Sequence, residues 1–478
     1  MSKPLRYINL YFVFILAIAS RPVLSQTVLT DSIPYIIIGD ITIEGNHKTR
    51  SAIIFREMAI RSGDTLYKSM VQESLEIDRR KIINTNLFVT VDLLTKPDQD
   101  SVSGNIRTDI KVVVKERWYF IVLPVFQLAD RNFNEWWYDR NRDLKRTIYG
   151  VYLSYGNVTG RADKLRFIAE FGFIPKFEVA YSLPYIDKAQ KTGITVGTSY
   201  STNKTMAFRT WNDKLNYLNS EVVNKERFYS YVTLTRRNKY YTFHGLDLRW
   251  SYGKIADTIA ILNPGYLLKG RTVQKYFQLT YTFSYDKRDN FQYPLRGQSG
   301  SIQISKIGLL PSDDINQAFI YGSYRKYIPI SKRWYANTGV RARMSVPKRQ
   351  PYLQTIGLGY RNDLVRGYEL YVVDGQDYAL LKNEIKYKLF SFQKHFSWVP
   401  VKQFNTVPLA AYLNTFADAG YVRNHYPELS NTKLGNSLLF GAGTGVDVVT
   451  FYNILARFNI NFNAEGERRF FFNISREF

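Results

Sequence analysis

The chain has 478 residues and no cysteine, which excludes disulfides, thiolate metal sites and a lipid anchor carried on a cysteine. Lysine and arginine number 65 against 41 acidic residues, a formal charge of +24. An intracellular chain so basic would point to nucleic acid; for an exported one no nucleic acid is expected, and anionic lipid headgroups and lipopolysaccharide are the complementary partners.

Lys3 and Arg6 precede an apolar run over 7–19, followed by a small-residue boundary at Ser25 and Gln26. That is the pattern of a secretory signal peptide, residues 1–25, with a linker at 26–35. The run is too short for a membrane helix, which needs about 20 residues, and no later window replaces it.

Residues 36–117 read as a compact soluble unit. Alternation over 36–43 predicts a strand stopped by Gly45 and Asn46. One helix is expected over about 50–60, and a second from Ser69, whose hydroxyl would cap it while Gln72 reaches back. Val71, Leu75 and Ile82 share one face of that second helix. Strands at 88–95 and 106–115, joined by a polar turn, complete the order strand, helix, helix, strand, strand, an α+β unit with its helices on one sheet face.

From 118 to 478 the period changes to two throughout. Sixteen segments alternate apolar and polar residues, at 119–127, 147–156, 164–174, 176–184, 193–201, 226–237, 242–252, 275–286, 299–307, 317–328, 333–345, 380–390, 408–418, 436–448, 452–462 and 469–478. In one of them Phe277, Leu279, Tyr281, Phe283 and Tyr285 oppose Gln278, Thr280, Thr282 and Ser284. In another, Phe458, Ile460 and Phe462 oppose Arg457, Asn459, Asn461 and Asn463, a face too polar for a dry core. A sixteen-stranded antiparallel transmembrane β-barrel satisfies both faces, because only a closed barrel pairs every backbone group of strands in lipid. The 37 Tyr and 31 Phe suit the aromatic girdles of such a barrel. Parity agrees: with both ends of the barrel in the periplasm, the long connections at 128–146, 202–225, 253–274, 346–379 and 419–435 all follow odd strands and face outward. The stretches 287–298 and 391–407 are long for periplasmic turns.

Val365-Arg366-Gly367-Tyr368 lies in the outward connection after the eleventh strand. An arginine beside a glycine makes a tight tip bearing a rigid five-donor fork, able to clasp a carboxylate with two prongs if the loop folds into the lumen. Glu384 and Asp418 are lumen carboxylates downstream. The four histidines, His47, His244, His395 and His425, have no metal-ligand spacing, and no motif poises a serine beside one of them; neither an enzymatic activity nor a cofactor is expected. Gly441-Ala442-Gly443-Thr444-Gly445 lacks the strand-to-helix context of a nucleotide loop and reads as small residues in a barrel strand. Asp313 and Asp314 fall in an outward loop and are expected to be solvated.

The joint pattern resembles the BamA/TamA family of outer-membrane assembly factors and its two-partner-secretion relatives. The Val-Arg-Gly-aromatic motif of the family's sixth external loop is matched at 365–368. Its Asp-x-Arg-Asp stretch and Pro-x-x-Gly turn are matched by Asp286, Arg288, Asp289, Pro294 and Gly297. Its Phe-x-Asp-x-Gly strand motif is matched by Phe416, Asp418 and Gly420, and its terminal aromatic signal by Phe478. Residues 36–117 look like one POTRA domain and 118–478 like the barrel.

The resemblance implies that Arg366, Gly367 and Tyr368 form a loop latch in which Arg366 pairs with Asp418 or Glu384. It also implies a seam between the first and last strands, with Phe470, Phe472, Ile474 and Phe478 on one side. The expected function is insertion or translocation of unfolded outer-membrane or secreted clients, taken up at the POTRA edge and the seam, with accessory subunits able to dock on the POTRA domain. The competing reading is a passive pore or structural surface barrel. Family members commonly carry several POTRA domains, whereas this sequence has room for one.

Overall fold

The computed structural model describes residues 35–98, 106–187, 189, 191–291, 293–360, 362–398, 406–427, 432–450 and 454–476. The expected signal peptide, nearly all of the linker and Phe478 lie outside them.

The small unit runs β1 (Tyr35–Glu44), α1 (Ser51–Glu57), β2 (Thr65–Tyr67), α2 (Lys68–Ile83), β3 (Phe88–Asp98) and β4 (Ile106–Glu116). Its sheet order is β2-β1-β4-β3, with β1 and β4 parallel. The short β2 between the helices was not foreseen, and it changes how α2 begins. Thr65–Tyr67 pairs with the start of β1, Tyr67 lies 4.7 Å from the Tyr35 ring, and the chain enters α2 at Lys68 straight from extended backbone. No side chain caps α2, so the expected Ser69 cap is absent. Its buried face is Val71, Leu75, Asp78 and Ile82, packed with Ile38, Ile53, Ile54, Phe88 and Ile110. Asp78 is buried without cost because it accepts from the backbone N–H groups of Ala59 and Ile60 at 2.8 and 3.0 Å, with Lys81 at 3.0 Å.

The remaining strands form one sixteen-stranded antiparallel meander: Phe120–Leu128, Thr147–Gly156, Lys164–Gly172, Lys176–Leu183, Thr192–Asn203, Lys225–Lys239, Thr242–Ile255, Val273–Asp286, Gly297–Ile307, Gln317–Pro329, Trp334–Val346, Asp377–His395, Thr406–Arg423, Leu438–Val449, Ile454–Asn463 and Arg468–Arg476. They are barrel strands 1 to 16 below. Every expected strand is present. Strand 12 is 19 residues long, which absorbs much of the connection that looked too long for a turn.

The sheet is apolar outside and polar inside. Leu279, Tyr281, Phe458, Ile460, Phe462 and Phe470 are exposed, whereas Thr280, Ser305, Asn414, Asn459 and Asn461 are buried. A soluble protein avoids so large an apolar surface; a lipid-facing barrel requires it. Among the described residues no helix is long and apolar enough to cross a membrane.

The small unit docks on the turns that follow even strands, defining a near end of the barrel. Glu57 receives both ion-pair bonds of Arg237 at 2.7 and 2.8 Å, and the Tyr240 hydroxyl donates to the Met58 carbonyl at 3.0 Å. Lys81 sits 3.8 Å above the Tyr240 ring, and Lys48 donates to Tyr155 at 2.8 Å. The far end carries the connections after odd strands. These include helix α3 (Phe133–Asp139), a hairpin of Met206–Trp211 with Lys214–Leu218, helix α4 (Asp257–Leu262), and a hairpin of Ile356–Leu358 with Val373–Asp374. Asp313 and Asp314 are partly exposed in their loop and also engaged: Asp313 accepts from the Leu309 and Leu310 amides, and Asp314 pairs with Arg271 at 2.8 Å.

Candidate functional site

The connection after strand 11 folds back into the lumen from the far end. Gly367 holds φ at +101°, a turn that only glycine adopts freely, and it aims the preceding side chain at the wall. Arg366 donates Nε and Nη2 to Asp418 at 2.8 and 2.7 Å, Nη1 to Glu384 at 3.1 Å, and Nη2 also to the Asn383 carbonyl at 3.3 Å. Its guanidinium lies 3.7 Å over the Phe416 ring. Asp418 is fully buried, and Glu384 and Arg366 nearly so. The two carboxylates offered by the sequence are therefore both used, one by a two-pronged pair and one by a single bond.

The loop backbone is received as closely as the side chain. A Cβ at Gly441 on strand 14 would lie 1.8 Å from the Arg366 carbonyl oxygen, so the loop rests where that strand has no side chain. This is the physical reason for Gly441, whereas Gly443 and Gly445 make room for Phe416 and for Asn459 of strand 15; the small-residue run at 441–445 is strand, as expected. Asn463 on strand 15 donates to the Gly367 carbonyl at 2.9 Å, and Glu369 accepts from the Gly367 amide at 2.7 Å and from Asn461 at 2.6 Å. Val365 and Tyr368 pack into an apolar cluster with Leu358, Leu380, Val422 and Leu439. The loop thus bears on strands 12, 13, 14 and 15 together.

Below the latch the charges continue toward the near end. Glu384 lies 3.4 Å from Lys386 and 3.8 Å from Arg457. Asp447, fully buried, takes Arg457 at 2.7 Å, Asn414 at 2.9 Å and Lys386 at 3.6 Å. Tyr293 completes the set from a near-end turn, donating to Asp447 at 2.8 Å under Lys386, which sits 3.9 Å over its ring. Cations and carboxylates alternate along this chain, which is how charges are kept in a crowded interior.

Tyr293 belongs to the turn that carries the Asp-x-Arg-Asp motif. Asp286 clasps Arg288, Asp289 accepts from the Leu295 and Arg296 amides at 3.1 Å each, and Gly297 holds φ at +99°. Pro294 stands beside Tyr293 in the same turn. The motif folds on itself, and its link to the latch is the tyrosine. Sequence reasoning missed Tyr293, Lys386, Asp447 and Arg457 as site residues. The signal was available: Gly441, Gly443, Gly445 and Asp447 fall at spacing two on one face, and Glu384 and Lys386 do likewise.

The terminal-strand residues lie apart from the latch. Phe470 is exposed, Phe472 is half-buried and its ring lies 4.9 Å from Phe458, and Ile474 falls within strand 16. Strands 1 and 16 are the two ends of the sheet. Among the described residues no backbone hydrogen bond joins them. Strand 1 also contains Pro124, which lacks an N–H and is tolerated at an edge.

These features define a class: a sixteen-stranded outer-membrane barrel that holds one of its own loops in the lumen and carries one small α+β domain at one end. Residues 157–478 match the Omp85 superfamily domain, and residues 36–117 match the POTRA model, described as a surface antigen variable number repeat. The chain belongs to the Omp85 superfamily. No curated protein gives a significant match. Among solved structures the chain is similar to BamA from Haemophilus ducreyi lacking POTRA domains 1-3, at 15% identity and TM-score 0.55, over 92% of this chain and 84% of that one. It is similar to CdiB from Escherichia coli at 13% identity and TM-score 0.54, over 91% and 75%. CdiB from Acinetobacter baumannii shows 10% identity and TM-score 0.50, over 91% and 73%. At such identities the likeness is one of fold. The family is one of membrane-protein insertion and translocation at the outer membrane.

Proposed function

We propose that this protein takes up unfolded β-rich client chains in the periplasm and inserts them into, or passes them across, the outer membrane, with its POTRA domain on the periplasmic side. The observation that carries this reading is the seam. Each backbone group left unpaired in lipid costs several kcal/mol, so a barrel closes unless an open edge has a use. An unpaired strand edge is a template for an incoming strand. The free edge of β3 in the POTRA domain offers the same chemistry to a client on its way. The Arg366 latch holds the sixth loop inside while the seam works. No cofactor and no catalytic residue is needed. The passive-pore reading is less well supported, because the sixth loop is seated inside the lumen, held against strands 12 to 15.

A photo-cross-linking residue at position 472 tests the reading. It should capture outer-membrane precursors in living cells, and depletion of the protein should lower the level of at least one other barrel. Failure to capture any of a panel of abundant precursors, with all barrel levels unchanged, would leave the pore reading in its place.

A further inference from the structure

The edge of strand 16 is free of a strand partner, yet at Phe472 it is not bare. Helix α3 in the first far-end loop brings the Asn134 side chain against it. The Asn134 amide accepts from the Phe472 N–H at 3.3 Å and donates toward the Phe472 carbonyl at 3.4 Å. These two backbone groups point away from strand 15, because the N–H and C=O of one strand residue lie on the same side and both bond Asn134; Phe472 therefore faces Phe458 as a pair that exchanges no backbone bonds. An asparagine amide presents an N–H beside a carbonyl oxygen, as a peptide group does, so it occupies the place of one residue of a neighbouring strand. Phe133 packs edge-on against the Phe472 ring at 5.7 Å, as a cross-strand neighbour would. Asn134 is 2% exposed, unusual for a loop asparagine.

The helix is held there by the latched loop. Asn132 caps α3 by accepting from the Glu135 amide at 2.8 Å, and the same side chain donates to the Glu369 carbonyl at 2.7 Å. Arg131 donates to the Tyr371 carbonyl at 3.0 Å and pairs with Glu135 at 2.7 Å. Glu369 and Tyr371 follow Arg366 in the same loop, so the latch and the seam plug share one support.

We propose that Asn134 is a built-in stand-in for a β-strand at the free edge of strand 16, and that an extended client segment binds there by displacing it. This rests on the client-handling reading above and adds the regulation of its seam: the plug keeps the edge from pairing until a strand competes for it. The ligand class is an extended peptide of alternating apolar and polar residues, recognised through its backbone.

The test uses the full chain in nanodiscs and, as probe, a synthetic peptide of residues 468–478 of this protein. In Asn134→Ala the Phe472 amide should exchange at least 10-fold faster than in the parent, while the Phe471 and Asn473 amides, which face strand 15, keep their rates. Asn134→Asp, which keeps the acceptor and loses the donor, should fall between. The peptide should bind the alanine variant at least 5-fold more tightly and restore protection at Phe472. Unchanged exchange at Phe472, with equal peptide binding to both proteins, would overturn the stand-in and leave the client reading intact. Faster exchange with no peptide bound by either protein would overturn the competition and the seam reading together.

Discussion

Tyr293 and Asp447, 154 positions apart in the chain, share a 2.8 Å hydrogen bond in which a near-end turn reaches the charge chain that ends at Arg366 in a far-end loop. The two ends of the barrel are therefore in contact through side chains alone. Tyr293→Phe removes one bond to a buried carboxylate and should destabilise the folded barrel by about 1.5–3 kcal/mol, less whatever Asn414 and Arg457 recover. Combined with Arg366→Ala it should be non-additive by at least about 0.5 kcal/mol in urea unfolding from detergent micelles. Strict additivity would show that the ends are independent despite the shared network.

Arg366→Ala leaves Asp418 and Glu384 buried with too few donors. Breaking a buried pair from one side costs about 3–5 kcal/mol, so the heat-resistant folded band should be lost at a clearly lower temperature. Lys382, 3.8 Å from Asp418, offers partial relief. Asp418→Ala in the Arg366→Ala background should cost much less than in the parent, and equal costs would rule out the pairing. Arg366→Lys should behave closer to alanine than to arginine, because one ammonium cannot make both bonds to Asp418 and still reach Glu384.

Gly441→Ala tests the latch without touching a charge. The added Cβ would meet the Arg366 carbonyl oxygen at 1.8 Å, and neither backbone can yield without moving its strand or loop. The sixth loop should be expelled with Arg366 intact. Proteinase K added from outside should then cut between residues 359 and 371 at least several-fold faster than in the parent, where Val365, Arg366 and Tyr368 are buried. A protected loop in this variant would mean the loop is not seated as described.

The strands and the latch partners were legible because each is written at short range. Alternation at Phe458, Asn459, Ile460 and Asn461 needs only the pleat, and Arg366 with its carboxylates stands in motifs a few residues long. What stayed hidden depends on register and closure. Tyr293 meets Asp447 only once six further strands have curled the sheet round, and nothing local marks it. Thr65–Tyr67 becomes a strand because Tyr35 and Ile36 lie beside it, although its three residues carry no period. Ser69 had the spacing of a cap and lost the role when that pairing put Tyr67 in the cap position, two residues early.

The POTRA docking hangs on Glu57, 3% exposed between Arg56 and Arg237. Glu57→Arg should release the domain from the barrel, broadening the distance distribution between spin labels on α2 and on strand 6. The exchanged pair Glu57→Arg with Arg237→Glu should restore part of the narrow distribution, although Arg56 would then face a second arginine. If the single variant keeps the narrow distribution, the Tyr240 and Lys48 contacts hold the domain without this pair.

Outside the spanning strands, Asp374 on the far-end hairpin is 2% exposed, and burial pushes its carboxyl up to about 7 even though Tyr360 and Thr210 donate to it. A carboxyl that holds its proton more tightly in the folded state than its unfolded value of about 3.9 favours folding when protonated. The contribution is complete below about pH 4 and is lost as pH rises through about 7. The hairpin should therefore be firmer at pH 5.5 than at pH 8, by an amount on the order of 2 kcal/mol. Amide exchange at residues 356–358 and 373–374, corrected for the intrinsic pH dependence of exchange, reads this directly: protection should fall on going from pH 5.5 to pH 8. Asp374→Asn, which stays neutral and can still accept from both hydroxyls, should hold the same protection at both values. A parent hairpin whose protection differs between pH 5.5 and pH 8 no more than that of Asp374→Asn would show that Asp374 does not govern it in that range.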